Sequence, residues 1–240
     1  MRLVFEQQRE HSLQWAGIQS VAGKPGCTAE TLRRCVRQNY LSWLTTSPDR
    51  RIFLQPLAFD PKADAAVNCG AMGAIIGHEI SHLFDDKGRA SDGDGMLRDW
   101  WTTEDAKRFT ASAKRLQDQV GAYEPIPGKT VDGALTLGES IADLAGLNVA
   151  LDAYKRSLGG KEAPILDGLT GDQRFFMSFA QVWRWKGRDA AVDQQLKNDP
   201  HPPSSIRANT VRNIDAWYGA FDVQPGDKLY LKPEDRVRLW

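Results

Sequence analysis

The stretch "IIGHEISHLFDD", residues 75–86, decides how the rest of the chain is read. Ile75, Ile76, Ile80, Leu83 and Phe84 recur at helical spacing, so the segment predicts an apolar helix over about residues 71–86, stopped by Gly88. On such a helix His78 and His82 lie one turn apart on one face, with Cβ atoms about 5–6 Å from each other. Two imidazoles so placed can bind one ion. Glu79, one residue on, is rotated away from that shared position but can reach a water beside it, which is where a general base belongs. The plain alternative is a pair of hydrogen-bonded core histidines, because two histidines do not complete a catalytic zinc site of three protein ligands and a water.

A third ligand is therefore required. Fifty-seven residues past His82, "TLGESIADLAG" sets Glu139 and Asp143 four apart on a second apolar helix, predicted over about 137–158 and ended by "GG". If Glu139 binds the ion, Asp143 sits one turn away and can accept the ring N–H of a ligating histidine, fixing its tautomer. The alternative, two solvated surface carboxylates, fits poorly beside Leu137, Ile141, Leu144 and Leu147. Of the four histidines, His201 in "NDPHPPSSIRAN" is the other one placed for chemistry. Its flanking prolines hold the backbone extended, and Ser204 is expected to cap a helix carrying Arg207. An imidazole and a guanidinium would then face one side, a pair suited to an oxyanion and a substrate carbonyl. Asp199 is placed to orient the His201 ring, although an Asp before Pro is often only a turn residue.

The surroundings bound the function classes. The 240 residues suffice for a sizeable core in one compact domain. Lys plus Arg and Asp plus Glu both number 31, so no net charge draws the molecule to nucleic acid or an anionic membrane surface. Cys27, Cys35 and Cys69 are too few for a disulfide framework and show no CxxC spacing. The opening "MRLVFEQQREHS" lacks the apolar core of an export signal, and the weakly polar run 70–77 is far short of the roughly 20 residues that span a bilayer. As written the chain reads as soluble, with its compartment unknown.

Residues 1–50 show no sustained period and read as a divergent N-terminal segment, with the catalytic domain over 51–240. "RIFLQP", 51–56, predicts a short strand at the edge of a small sheet. "GRASDGDGMLRDWW" is a turn region that lacks the third acidic ligand and distal glutamate of a calcium loop. "TTEDAKRFTASAKRLQDQV" reads as a capped surface helix, "GDQRFFMSFAQVWRW" as a third apolar helix, and "SSIRANTVRNIDAWYGAF" as a fourth, with Ile206, Val211, Ile214, Trp217 and Phe221 in register. The expected fold is mostly α with a small β element.

With HExxH, GExxAD and HxPxxxR in that order, the chain resembles the neprilysin family of zinc metallopeptidases, in particular its bacterial members. The resemblance runs from about Leu54 to Trp240 and includes "LQPLAFDPKADAAVNCGAMGAIIGHEISHLFDDKGR", "LTLGESIADLAGL", "GDQRFFMSFAQVW", "DPHPPSSIR" and "RVRLW". It implies a thermolysin-like fold and one zinc ion held by His78, His82 and Glu139, with Glu79 activating water and Asp143 supporting a ligand. It implies further that His201 stabilises the oxyanion, that Arg207 holds a substrate carbonyl, and that Ile75, Val182 and Trp183 line a pocket for an apolar side chain. The implied activity is cleavage of peptides or unfolded proteins on the amino side of apolar residues.

The sequence departs from the family at several points. The Asn-Ala pair of the substrate-binding edge strand is missing from "SWLTTSPDRRIFLQPLAF". Ala58 stands where an aromatic is usual, implying a wider pocket, and Cys69 and Ser140 replace a common Tyr and Asn. The helical lobe that normally precedes the catalytic lobe has no counterpart in this length. That leaves a rival reading, a zinc- and peptide-binding relative that cuts weakly, and an expectation of self-association or of a separate partner lobe. By family the compartment is inside the cell, periplasmic or secreted.

Overall fold

A computed structural model describes residues 57–92 and 95–239. The predicted strand at 51–56 and the N-terminal segment 1–50 lie outside them. Among the described residues there is no strand, only three isolated antiparallel bridges, Ser91 with Leu97, Ile126 with Lys129, and Leu166 with Leu169. The mostly helical expectation therefore holds, and the small β element is not seen there.

The helices are α1 (Ala65–Asn68), α2 (Ala74–Ser81), α3 (Thr103–Gly121), α4 (Leu137–Ser157), α5 (Gly171–Val182), α6 (Asp189–Asn198), α7 (Ser204–Ala208) and α8 (Asp215–Phe221). Between α1 and α2 the backbone widens into a π-helix over Cys69–Gly73, and a 3-10 turn over His82–Phe84 closes the run. The helix expected over 71–86 thus begins earlier, changes pitch on the way, and ends at an extended Asp85 rather than at Gly88.

At the centre lies α4, in which thirteen of 21 residues are buried, as befits a helix apolar on nearly every face. Ile141, Leu144, Leu147 and Tyr154 are at most 2% exposed. Against it packs α3, capped by Thr102, whose hydroxyl accepts the Asp105 N–H at 3.0 Å. Phe109, Ala113, Leu116 and Val120 form its one buried stripe. A reciprocal capping box between Thr170 and Gln173 starts α5, which packs Phe175 and Phe179 into the same core.

Helices α2 and α4 cross backbone to backbone. A Cβ on Gly146 would stand 2.3 Å from the His78 nitrogen, and one on Gly77 would stand 2.7 Å from the Gly146 oxygen. With no Cβ on either side at the crossing, Gly77 and Gly146 let the two backbones come this near.

Two sequence expectations are corrected here. The single helix over 204–221 is broken into α7, a 3-10 turn over Asn209–Asn213, an extended Ile214, and α8. The buried Asn213 side chain accepts the Val237 N–H at 2.8 Å and donates to Gln119 at 2.7 Å, while the Tyr218 hydroxyl donates to the Arg212 carbonyl. The last of these takes up a carbonyl that a continuous helix would use, and the other two tie Asn213 to other parts of the fold. Ser204 is the first residue of α7 rather than its cap, a position held by Pro203. Helix α6 has no predicted counterpart, because its single buried residue, Val192, leaves no apolar period to read.

Candidate functional site

The α2–α4 crossing sets three groups face to face. His78 Nε2 lies 3.1 Å from His82 Nε2 and 3.2 Å from Glu139 Oε2, and His82 Nε2 lies 3.6 Å from Glu139 Oε1. One ligating atom from each of the three fits within 4.8 Å. The outer nitrogens are both taken: His78 Nδ1 meets Asp143 Oδ1 at 2.9 Å, and His82 Nδ1 meets Asp85 Oδ2 at 2.8 Å. With each Nδ1–H donated to a carboxylate, the two neutral rings turn Nε2 lone pairs toward each other and toward Glu139. Three acceptors converging on one point repel unless a cation lies between them. Glu139 Oε2 is buried without a hydrogen bond, and its 3.2 Å contact with His78 becomes one only if that ring is protonated on Nε2. The donor set, two imidazoles and a carboxylate, fits zinc.

The electrostatics agree. Burial alone would push the His78 pKa down, but hydrogen bonds to Asp143 and Glu139 outweigh it and raise the pKa to about 9. A cation between the acceptors would replace that proton. Burial would likewise raise Glu139, yet His78, His201 and His82 hold it below the usual carboxylate range. Asp143, 3% exposed, is driven lower still against its burial by Arg207 and His78.

Asp143 is clamped from the far side. Arg207 donates through Nε to Oδ2 at 2.8 Å and through Nη2 to Oδ1 at 2.7 Å, a two-point pairing that fixes the carboxylate's plane. Arg207 itself is buried and stacks on the Trp183 ring, with its guanidinium carbon 3.9 Å from the ring centre. The guanidinium is thus mostly engaged by the protein, where the sequence had suggested a substrate carbonyl alone. His201 is the most exposed member of the group, 47% by side chain; its Nδ1 meets Asp199 Oδ1 at 2.7 Å and its Nε2 lies 3.3 Å from Glu139 Oε2.

Beside these groups opens a cavity of about 320 Å³. His78, Glu79, Asp143, His201 and Arg207 form its polar side, and Ala71, Ala74, Ile75, Phe179, Val182 and Trp183 its apolar side. Every residue singled out from the sequence is therefore in or against one site, with Asp199 joined through His201 and His82 and Glu139 through His78. Sequence reasoning passed over Asp85, the carboxylate on His82. Its signal was the spacing, three residues after the histidine, where a helix turn brings a side chain back to the ring. Ala71, Ala74 and Phe179 were also missed, because apolar lining cannot be told from core by sequence.

Comparison with known proteins bears on the family. The model of Peptidase family M13 matches residues 50–237. Neprilysin-3 of Drosophila melanogaster is 36% identical over 192 residues, covering 78% of this chain and 24% of that protein. Neutral endopeptidase of Lactobacillus helveticus is 36% identical over 188 residues, covering 78% and 27%. The solved structure of the Mycobacterium tuberculosis zinc metalloprotease Zmp1 in complex with inhibitor superposes with a TM-score of 0.77 at 52% identity, covering 79% of this chain and 30% of that one. The chain spans about a quarter of the length of the curated relatives it matches. With the family's model matched over most of its length, the chain belongs to peptidase family M13, the neprilysin family.

Proposed function

We propose that this chain is a zinc-dependent metalloendopeptidase, cutting peptides or unfolded proteins on the amino side of apolar residues. The observation that carries the reading is the convergence of His78, His82 and Glu139, each histidine backed by a carboxylate, on the edge of a cavity that also presents Glu79. His78, His82 and Glu139 would hold the ion. When bound, zinc acts as a Lewis acid that acidifies water and polarises a carbonyl.

The other groups have distinct tasks. Glu79, half-buried on the same wall, takes a proton from the attacking water and hands it to the leaving amine. His201, its Nδ1 held against Asp199, donates from Nε2 to the developing oxyanion. Asp143 and Asp85 hold the histidines in the tautomer that leaves Nε2 free for a metal. Arg207 anchors Asp143, and its remaining Nη1 is the group available to a substrate carbonyl. The apolar wall of Ile75, Val182 and Trp183, floored by Ala71 and Ala74, receives the side chain that follows the scissile bond.

The test is zinc content together with chelator-sensitive cleavage of short apolar peptides and of casein by the wild type and by Glu79→Gln. About one zinc per chain in both proteins is expected, with turnover lower by at least about 1,000-fold in the variant. Zinc bound without cleavage of any substrate by the wild type would leave a metal- and peptide-binding protein. Undiminished turnover by Glu79→Gln would remove Glu79 from the mechanism.

A further inference from the structure

The wall of the cavity does not end at Trp183. The next five residues, Arg184-Trp185-Lys186-Gly187-Arg188, connect α5 to α6, and all but Gly187 are exposed. The Arg184 N–H donates to the Gln181 carbonyl at 3.1 Å, so the chain turns immediately at the cavity rim. Arg188 then caps α6, its carbonyl accepting from Ala191 and Val192.

Two features of this turn call for an explanation. The first is charge: Arg184, Lys186 and Arg188 place three cations within five residues of a chain with no net charge, and none of them makes an ion pair among the described residues. Some exposed cations elsewhere find carboxylates, as Lys155 does with Asp172, Lys197 with Asp193 and Arg238 with Asp215, and others, Lys62, Lys107 and Lys161 among them, stand in no ion pair among the described residues; what sets this loop apart is that three such cations crowd into five residues next to Trp183. The nearest acid in sequence, Asp189, opens α6, where a negative charge is favoured by the helix end. The second feature is Trp185, an indole 53% exposed that lies over Gly187, where any Cβ would come within 2.0 Å of the ring. The glycine leaves room for the ring to lie on the loop backbone, and the ring's other face is left to solvent.

We propose that the loop 184–188 is a carboxylate-recognising subsite on the rim of the cleft, which selects substrates bearing a negative charge one or two residues from the apolar side chain held by Val182 and Trp183. The inference rests on the peptidase reading of the cavity and adds a substrate class to it. Reach supports the placement. Successive residues of an extended peptide advance about 3.3–3.6 Å, so a residue one or two along lies within the span of a long Arg or Lys side chain on the adjoining turn. Chemistry supports it as well: guanidinium and ammonium groups pair with carboxylates, and the Trp185 face offers the neighbouring aliphatic stem an apolar surface. The carboxylate can be an Asp or Glu side chain or a free C-terminus, since both present the same group. Because the three cations are solvated, the selectivity is electrostatic steering and weak pairing, which salt suppresses.

The test uses the zinc-loaded protein and peptides that share one apolar residue after the scissile bond. The residue following it is Asp, Asn or Lys, and each peptide is made with a free and an amidated C-terminus. The wild type is expected to favour Asp over Lys by roughly tenfold in kcat/KM at low salt, and by less than about twofold in 0.5 M salt. In the triple variant R184Q/K186Q/R188Q the preference disappears while turnover of the amidated Asn peptide is unchanged. A gain from the free over the amidated Asn peptide assigns the terminal carboxylate as a second source of the same group; no gain assigns the side chain alone. Cleavage with equal efficiency for Asp and Lys, or a preference that survives the triple variant, overturns the subsite and leaves the peptidase reading standing. If no peptide is cut, that reading fails instead, and the peptides' affinity for the same protein, followed by tryptophan fluorescence, decides the subsite. Tighter binding of Asp than Lys that the triple variant abolishes upholds it, and equal affinity or no binding overturns it.

Discussion

Replacing Gly146 by alanine tests whether the helix crossing, rather than the ligands alone, makes the metal site. Glu139, Asp143 and Gly146 stand at i, i+4 and i+7 on α4, one stripe facing α2. The added methyl would lie 2.3 Å from the His78 nitrogen and 2.8 Å from the Ala74 oxygen, whereas ordinary contact begins near 3.4 Å. Both neighbours are backbone, so the helices must part by about 1 Å. Glu139 rides on the displaced helix, and its 3.2 Å approach to His78 Nε2 opens with it, in a site whose metal–ligand distances tolerate about 0.2 Å. Overpacking of this kind costs about 1–3 kcal/mol, which leaves a domain of ordinary stability folded. The loss of zinc affinity should be larger in proportion, about 100-fold or more, since disturbing outer partners alone costs 10–100-fold. The assay is competition against a chelating dye, alongside thermal melts of the metal-free protein. Gly73→Ala is the control on the same α2–α4 face, because its methyl would meet Ala150 and Cys69 Cβ atoms at an ordinary 3.5 Å. Zinc affinity within threefold of wild type for a folded Gly146→Ala protein would refute the reasoning.

Further outcomes follow from the same geometry. Asp143→Ala strips two hydrogen bonds from buried Arg207 and one from His78; it should destabilise the domain by about 3–5 kcal/mol and weaken zinc by at least tenfold, read by melts and metal titration. Asp85→Ala should weaken zinc about 10–100-fold by releasing His82 Nδ1, and should also loosen the turn whose Lys87 and Gly88 N–H groups Asp85 Oδ1 accepts; equal zinc affinity would show that the His82 contact does not orient the ring. The raised His78 pKa means that the metal-free fold binds a proton more tightly than the unfolded chain. That stabilisation is complete below about pH 6.5 and is lost as pH rises through about 9, so the metal-free melting temperature should fall across this window, and a flat profile in a pH series of melts would count against it. Burial pushes the Cys69 thiol up to about 11, so peptide mapping after alkylation at pH 8 should find it unmodified until the protein is unfolded.

Much of the site could be read from the sequence because its parts are local in pattern. HExxH and ExxxD each place two groups one helical turn apart, and helical spacing alone makes them neighbours. The prolines around His201 likewise advertise an extended approach to a helix. Where the reading failed, a long-range contact had decided the outcome. Asn213 and Tyr218 broke the predicted 204–221 helix through bonds to α3, the C-terminal segment and the Arg212 carbonyl, none of which leaves a mark on the period of Ile206, Val211 and Ile214. Helix α6 went unread for the opposite reason: it buries only Val192, and a helix with almost no buried face has almost no pattern.

By itself the sequence determined which chemical groups are present and which of them share a helix face, because a 3.6-residue repeat is a property of the backbone. It could suggest, though not establish, that His78 and Glu139 meet. That meeting depends on two helices more than 50 residues apart crossing at Gly77 and Gly146, on Arg207 fixing the plane of Asp143, and on Trp183 stacking against Arg207. Such distances are set by how closely backbones can pack, which is decided by the volume of the side chains left out as much as by those present. The pairing of Arg207 with Asp143 and the cavity walled by Val182 and Trp183 belong to that tertiary level, where neighbours in space need not be neighbours in sequence.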